Sequence, residues 1–217
     1  MSKKIVIVAG GPRDLWPDIS NFLSIDTIWF GVDRGAHFLL DEEIVPEWAI
    51  GDFDSLAESE LKRVEEKVSN INYAKPEKDE TDTQLALSIA MRDYPELPIY
   101  LIGATGGRLD HFLSNLWLVL EPRYQQIASR LTLMDAQNTI TYYLPGDHCI
   151  SKEADKFYLA YVCLTPVSEL TLVDAKYTLT KQEIPYPVSL ASNEFVGEKS
   201  HFSFTSGLVA VIQSKDK

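Results

Sequence analysis

The stretch Pro98-Ile99-Tyr100-Leu101-Ile102-Gly103-Ala104-Thr105-Gly106-Gly107 runs from an apolar, strand-like segment into a glycine-rich turn, and a helical pattern starts near Leu109. Strands that alternate with helices form βαβ units and a parallel sheet. The same transition from strand to turn recurs at Lys4 to Ala9 and at Thr27 to Val32, each closed by a turn that contains glycine. The first half of the chain therefore predicts an α/β domain.

The pattern changes after about Arg130, where short β-like runs are separated by turns such as Pro145-Gly146-Asp147. Short strands at this spacing are typical of an all-β sandwich. We predict an α/β fold with an N-terminal parallel-sheet domain at residues 1–126 and an all-β sandwich domain at residues 127–217. The predicted strands of the second domain cover residues 132–134, 139–143, 157–164, 170–173, 177–180, 202–204 and 208–212.

Composition and charge exclude several classes of protein. The net charge of −12 and the pI near 4.7 argue against nucleic-acid binding, which usually needs a basic face. No apolar run approaches the roughly 20 residues that span a bilayer, so we expect no membrane association. Met1-Ser2-Lys3-Lys4 leads directly into a strand-like run, which predicts no signal peptide and a soluble cytoplasmic protein. Cys149 and Cys163 do not have the spacing of a metal site.

Two acidic motifs, Gly51-Asp52-Phe53-Asp54-Ser55 and Lys78-Asp79-Glu80-Thr81-Asp82, follow predicted strands. In an extended segment Asp52 and Asp54 point to the same side, which favours a magnesium clamp. The alternative is a turn in which Ser55 caps a helix that continues through Leu61. The second motif also suits a helix start, which favours acids in the first turn. Lysines next to these acids, however, indicate contacts with phosphate.

The turn that follows the Pro98 run carries Gly103, Gly106 and Gly107, and these glycines allow backbone N–H groups to approach an anion. Arg108 offers a planar fork for phosphate, and Asp110 lies off the apolar stripe of the predicted helix. We expect that stripe to comprise Phe112, Leu113, Leu116 and Leu120. The chain has neither a G-x-x-x-x-G-K-[ST] P-loop nor a G-x-G-x-x-G fingerprint. The sequence thus predicts a metal–phosphate site of another kind.

With these motifs in order, the sequence resembles the thiamine pyrophosphokinase family over nearly the whole chain. Arg34 departs from the family pattern, because many members have glycine there. The resemblance rests on Asp33-Arg34-Gly35-Ala36, Gly51 to Ser55, Lys78 to Asp82 with Ala86-Leu87, Gly103 to His111 with Asn115-Leu116, Lys176-Tyr177, and Ser192-Asn193-Glu194-Phe195.

The resemblance implies a nucleotide-binding α/β domain followed by a thiamine-binding β-sandwich domain. It implies transfer of a pyrophosphoryl group from ATP to thiamine, with magnesium as cofactor and AMP as leaving group. It also implies a homodimer with the thiamine site at the subunit interface.

The residues that match the family motifs receive roles on the same basis. Magnesium would be held by Asp52, Asp54 and Asp82, with Asp110 as the first candidate for a general base and Arg108 on the phosphates. Phe195 and Trp117 are both candidates for contact with the thiazolium ring. The nucleotide would contact Asp33, Arg34, Lys78, Thr81, Thr105, Gly106 and Gly107, and thiamine would contact Gln84, Ser192 and Asn193.

Two other functional classes share some of these features. Haloacid-dehalogenase-like phosphatases also use an Asp-x-Asp motif, but they place it after the first strand, whereas Asp52 follows the third predicted strand. A magnesium-dependent phosphate-ester hydrolase would release phosphate without an acceptor. A non-catalytic nucleotide or thiamine sensor would bind without turnover, and it would not need so many carboxylates.

Overall fold

A computed structural model describes residues 3–74 and 80–216 of the chain. The chain divides into two compact units, and each is considered by itself. The first unit runs to Leu118 and includes Leu133–Ala136, and the second comprises Val119–Thr132 and the chain from Gln137 onward. The division at residues 126 and 127 stays a prediction. None of the helices in the described ranges combines the length and apolar character that a membrane span requires.

The helices and strands have the following bounds in chain order. The first half contains β1 Lys4–Val8, β2 Thr27–Val32, α1 Arg34–Asp41, β3 Trp48–Gly51, α2 Glu58–Lys67, β4 Asn70–Tyr73, α3 Asp82–Asp93, β5 Ile99–Ile102 and α4 Leu109–Trp117. The second half contains β6 Leu131–Met134, β7 Asn138–Tyr143, β8 Gly146–Ser151, β9 Tyr158–Cys163, β10 Val167–Leu172, β11 Leu179–Ile184, β12 Val188–Asn193, β13 Lys199–Phe204 and β14 Val209–Ser214. Short 3-10 helices lie at Arg13–Leu15, Ile19–Phe22, Leu118–Leu120 and Gln125–Arg130.

In the first unit, five parallel strands lie in the order β5-β1-β2-β3-β4. Ile5, Val6, Ile7 and Val8 of β1 are completely buried, as expected when a central parallel strand is covered on both faces. Because the strands are parallel, their carboxyl ends share one edge, and there the chain enters the turns at Gly10, Asp33, Asp52 and Gly103. Ligands of open α/β sheets bind at this edge.

Helix α1 packs unusually close to the sheet, and two glycines make this possible. A Cβ atom at Gly35 would lie 2.0 Å from the carbonyl oxygen of Val8, and one at Gly31 would lie 2.4 Å from Cα of Ala36. Both contacts are with backbone atoms, which cannot turn aside as a flexible side chain would. The glycine in Asp33-Arg34-Gly35-Ala36 is therefore required by packing between α1 and β1.

The second unit contains two antiparallel sheets, in the orders β12-β9-β14-β7 and β11-β10-β13-β8. Their apolar side chains form one cluster that includes Tyr161 and Val211 from the first sheet and Leu170 and Phe202 from the second. The predicted parallel-sheet α/β part followed by an all-β sandwich is confirmed.

Several local predictions were wrong. The segment read as a turn around Gly146 begins β8, and Ser192-Asn193, which lies outside the predicted strands, ends β12. Strand β11 starts at Leu179 and extends to Ile184, later than predicted. Both β8 and β11 are edge strands with many exposed polar residues, so they lack the apolar alternation that identifies a half-buried strand.

The apolar stripe predicted for α4 was also only partly right. The helix ends at Trp117, and Leu120 lies in the 3-10 segment that follows. Phe112 and Leu116 are half-buried, but Leu113 is 37% exposed. Leu109 and Trp117, spaced with Leu113 at intervals of four residues, are also exposed.

We predict that Gly35→Ala lowers the free energy of unfolding by about 1–3 kcal/mol, because the added methyl group forces α1 away from β1. Gly197→Ala is the matched control, since no atom lies within 4 Å of a Cβ built there. Denaturant unfolding of both variants measures the difference. A Gly35→Ala protein as stable as the control would contradict the close approach of helix and strand.

Candidate active site

Three carboxylates converge at the carboxyl edge of the parallel sheet. Asp33 follows β2, Asp52 follows β3, and Asp82 is the first residue of α3. Each offers an oxygen atom, and these atoms all lie within 4.8 Å of one another. Carboxylates gathered this closely repel one another unless a proton or a cation compensates their charge. We call Asp33, Asp52 and Asp82 the carboxylate cluster.

Asp33 is the most constrained member of the cluster. Its backbone has φ 48° and ψ −123°, in a region that disfavours residues with a side chain, and such strain concentrates at functional sites. Its Oδ1 atom is buried and has no hydrogen-bond partner within the described residues. Burial, followed by the charges of Asp82 and Asp52, raises the pKa of Asp33 to about 7. The cluster therefore includes a buried carboxylate oxygen that lacks a hydrogen bond in the described part of the chain, and oxygen ligands suit Mg²⁺.

Gly51 provides the space for this carboxylate. Its φ of +151° is strained for a residue with a side chain, and a Cβ atom there would lie 1.9 Å from Asp33 Oδ1. Any side chain at residue 51 would thus occupy the space of a carboxylate oxygen. The closeness of Asp33 Oδ1 therefore explains why the segment Gly51 to Ser55 begins with glycine.

The expected arrangement of Asp52 and Asp54 was wrong in its geometry. Phe53 between them has φ +57° and is buried, so the segment is not extended and its side chains do not alternate. Instead the Asp54 N–H donates to Asp52 Oδ1 at 3.1 Å in a local turn. Asp54 lies outside the carboxylate cluster, although its charge contributes to the raised pKa of Asp33. The role of Asp54 as a metal ligand stays a prediction.

A cavity of about 410 Å³ opens beside the cluster. Residues from four strand ends contribute to its wall, and this matches the edge at which α/β sheets bind ligands. The wall includes Gly10, Gly11, Asp33, Arg34, Asp54, Ser55, Gly106, Gly107, Arg108 and His111.

The glycine turn after β5 is held by two buried residues that the sequence analysis did not propose for the site. The hydroxyl of Thr105 donates to Asp135 Oδ2 at 2.7 Å, and Asn115 Nδ2 donates to the Ala104 carbonyl oxygen at 3.1 Å. The Thr105 hydroxyl therefore anchors the turn, and the predicted contact of Thr105 with the nucleotide stays a prediction. Gly106 and Gly107 have φ of +74° and +66°, a backbone conformation that favours glycine over residues with a side chain. A buried Asp beyond β6 gives no sequence signal that connects it with this turn.

Arg108 and Asp110 form an exposed ion pair at the start of α4, with 2.6 Å between Nη2 and Oδ2. The hydrogen bond from Arg108 lowers the pKa of Asp110 to about 2. A carboxylate with so low a pKa is a weak proton acceptor. Asp110 therefore needs a change of partner before it suits the predicted role of general base, which stays a prediction.

Thr81 and Gln84 form a reciprocal capping box at the start of α3. The Thr81 hydroxyl accepts from the Gln84 N–H, and Gln84 Oε1 accepts from the Thr81 N–H at 2.8 Å. This arrangement fixes the helix end that carries Asp82. Contacts of Thr81 with nucleotide and of Gln84 with thiamine stay predictions. Lys78, predicted to bind phosphate, lies outside the described residues.

Ser192 and Asn193 belong to the second unit and differ sharply in their surroundings. Asn193 is buried, its Oδ1 accepts from the N–H groups of Tyr177 and Glu194, and its Nδ2 donates to the Tyr177 carbonyl oxygen. Ser192 is exposed with φ +61°. These contacts explain why Lys176-Tyr177 and Ser192-Asn193 occur together. Contact of either residue with thiamine stays a prediction.

Comparison with known proteins supplies the family. The profile described as "Thiamin pyrophosphokinase, catalytic domain" matches residues 19–131, and "Thiamin pyrophosphokinase, vitamin B1 binding domain" matches residues 147–209. The chain belongs to the thiamin pyrophosphokinase family. A curated relative named thiamine pyrophosphokinase, from Bacillus subtilis (strain 168), is 39% identical over 216 residues, which cover 99% of this chain and 100% of that relative.

Solved structures of the family agree with this assignment. The crystal structure of a thiamin pyrophosphokinase family protein from Enterococcus faecalis is 50% identical, with a TM-score of 0.95 over 99% of this chain and 100% of that one. The yeast thiamin pyrophosphokinase structure is 16% identical with a TM-score of 0.75 over 98% of this chain and 86% of that one, and this likeness concerns the fold alone. The resemblance noted in the sequence is confirmed.

We predict that Asp33→Asn stabilises the metal-free protein by about 1–2 kcal/mol at pH 8, because it removes a charge from the cluster. The raised pKa of Asp33, about 7 against 3.8, means that the folded state favours its protonated form. The contribution of protonated Asp33 to the free energy of unfolding is therefore complete below pH 3.8, and it is lost as the pH rises to about 7. The two proteins should accordingly differ less at pH 5 than at pH 8.

Urea unfolding in EDTA at pH 5 and pH 8 measures this difference. Asp14→Asn, at an exposed site outside the cluster, is the control for loss of one negative charge. A stability difference between Asp33→Asn and wild type that is the same at both pH values would contradict the protonated state of Asp33.

Proposed function

We propose that this chain transfers the pyrophosphoryl group of ATP to thiamine, giving thiamine diphosphate and AMP. The observation that carries the proposal is the carboxylate cluster beside a glycine-lined cavity, in a chain of the thiamin pyrophosphokinase family. The thiamine hydroxyl oxygen forms a bond to the β-phosphorus, and the bond from that phosphorus to the bridging oxygen of AMP breaks. The hydroxyl proton leaves to an acceptor.

Magnesium is the cofactor that the cluster suits. Asp33, Asp52 and Asp82 would hold it, and Asp54 remains a proposed further ligand because it lies on the wall of the same cavity. The buried, unpartnered Oδ1 of Asp33 supports this fit. When bound, the ion would neutralise charge on phosphate oxygens. The carboxylates themselves would fix the position of the ion.

The glycine turn and Arg108 are proposed to hold the phosphates. Gly106 and Gly107 lie on the cavity wall, where their backbone can approach an anion closely. Arg108 is 71% exposed and is free to turn from Asp110 to a phosphate group. Transfer of this kind depends mainly on positioning and charge neutralisation.

The same movement of Arg108 would prepare Asp110 as the proton acceptor. Once Arg108 binds phosphate, the hydrogen bond that lowers the pKa of Asp110 is gone, and the carboxylate becomes a stronger base. A positioned base typically contributes about 10²–10⁴-fold to such a rate. Arg34 lies on the cavity wall after β2 and is proposed to contact the nucleoside part of ATP, whereas the metal role proposed for Asp33 replaces the nucleoside contact expected from the sequence.

A homodimer with thiamine at the subunit interface is proposed on the family resemblance. Leu109, Leu113 and Trp117 form an exposed apolar face of α4, and such faces often mark protein interfaces. The thiamine-binding side would include Ser192, whose side chain is exposed, and Asn193, which fixes the backbone next to it. Gln84 is proposed as a thiamine contact from the catalytic domain.

The product of the reaction tests the proposed function. Protein incubated with thiamine, ATP and Mg²⁺ should give AMP and thiamine diphosphate in equal amounts, resolved by ion-exchange chromatography. ADP with thiamine monophosphate would contradict pyrophosphoryl transfer, and phosphate released without thiamine would indicate a hydrolase. Binding of both substrates without turnover would indicate a sensor.

A second experiment ranks the metal ligands. We predict that Asp33→Asn and Asp52→Asn each lower kcat/KM by about 10²-fold or more, because the cluster loses a ligand for the ion that neutralises phosphate. Asp54→Asn should have a smaller effect if its carboxylate remains outside the cluster when substrate binds. Steady-state rates at several Mg²⁺ concentrations measure this. Near wild-type turnover in Asp33→Asn would remove Asp33 from the metal site.

A further inference from the structure

We infer that Glu60 is a positioning residue for the segment Gly51 to Ser55, which carries Asp52 and Asp54, and that it acts through Arg34. This inference rests on the proposed magnesium site and adds to it a residue that lies outside the cavity wall. Glu60 lies in the first turn of α2, and its side chain is 25% exposed.

The two carboxylate oxygen atoms of Glu60 contact different residues. Oε1 lies 3.5 Å from Arg34 Nη1 and 3.3 Å from His37 Nε2, both on α1. Oε2 accepts the Ala57 N–H at 2.8 Å. Glu60 thus connects the start of α1 with the residue that precedes α2, directly after the Gly51 to Ser55 segment.

Arg34 completes the connection. Its Nη2 donates to the carbonyl oxygen of Ser55, so one guanidinium group contacts both Glu60 and the end of the segment. Arg34 follows Asp33 directly, and Ser55 follows Asp54. The contact between Arg34 and Ser55 therefore joins the two turns that bring Asp33 and Asp52 together.

Charge explains why Glu60 is needed for this geometry. An arginine side chain has about 2 kcal/mol of rotamer entropy, and several acceptors compete for this one. Asp54 lies on the same cavity wall as Arg34, and a bound nucleotide would add phosphate oxygens. The Glu60 carboxylate holds the guanidinium in the orientation that binds Ser55. Residues that hold the neighbours of metal ligands in this way keep the ligands in place.

Metal binding tests the inference without any need for catalysis. Mn²⁺ alone is titrated into the protein, and binding is followed by electron paramagnetic resonance. In Glu60→Gln the apparent Kd for Mn²⁺ should rise about three- to tenfold, less than the 10–100-fold typical of direct partners of ligands. Glu58→Gln is the matched control, since it removes the same charge from the same helix turn at an exposed position.

A double-mutant cycle separates positioning from helix capping. If Glu60 acts through Arg34, the substitution Glu60→Gln should change the Kd for Mn²⁺ little in an Arg34→Ala background. Equal effects of Glu60→Gln in both backgrounds would overturn the inference, because Glu60 would then act only on α2. Arg34→Lys is a second variant: it keeps the charge but loses the fork, and it should weaken Mn²⁺ binding as Glu60→Gln does.

Hydrogen exchange provides a readout that needs no metal. The backbone amides of residues 52–56 should exchange faster in Glu60→Gln than in Glu58→Gln. If Glu60→Gln leaves both the amide exchange and the Mn²⁺ affinity unchanged, the role of Glu60 is overturned while the proposed magnesium site stands. Wild-type protein that binds no Mn²⁺ would instead overturn the magnesium site of the proposed function, and this inference with it.

Discussion

Mutual repulsion among Asp33, Asp52 and Asp82 is the constraint on which the site depends. Three carboxylates with oxygen atoms within 4.8 Å of one another would separate in a flexible chain. The parallel strands prevent this, because β2 and β3 are adjacent and deliver Asp33 and Asp52 to the same edge. The capping box of Thr81 and Gln84 fixes the helix end that delivers Asp82. The stability of the sheet therefore compensates for the unfavourable charge of the site.

The glycines around the site serve this arrangement in distinct ways. Gly51 makes room for a carboxylate oxygen, whereas Gly35 lets α1 approach β1, and Gly106 and Gly107 adopt backbone angles that disfavour other residues. Asn115 and Asp135 hold the glycine turn through hydrogen bonds to Ala104 and Thr105. Buried hydrogen bonds thus fix the conformation of a glycine-rich turn, and a preorganised phosphate site requires such a fixed backbone.

The sequence predicted the central strands and the edge at which the motifs meet, because buried parallel strands are continuous apolar runs that end in turns. It also predicted two of the three clustered carboxylates. It did not group Asp33 with Asp52, and it expected Asp54 to point to the same side as Asp52, since the pairing of β2 with β3 and the positive φ of Phe53 are invisible in a local pattern. Asp135 and Glu60 were not found, because their partners, Thr105 and Arg34, are distant in sequence.

The hydrogen bonds of Asn193 have a consequence for altering acceptor preference. Its amide group holds Tyr177 and Glu194 by three hydrogen bonds inside the β-sandwich unit, so replacing it would disrupt the fold before it changed any pocket. Among the described residues the side chain of the adjacent Ser192 has no hydrogen-bond partner, and its φ of +61° accommodates glycine or asparagine readily. Because Ser192 is a proposed thiamine contact, a library aimed at new acceptor analogues should vary residue 192 and keep residue 193 fixed.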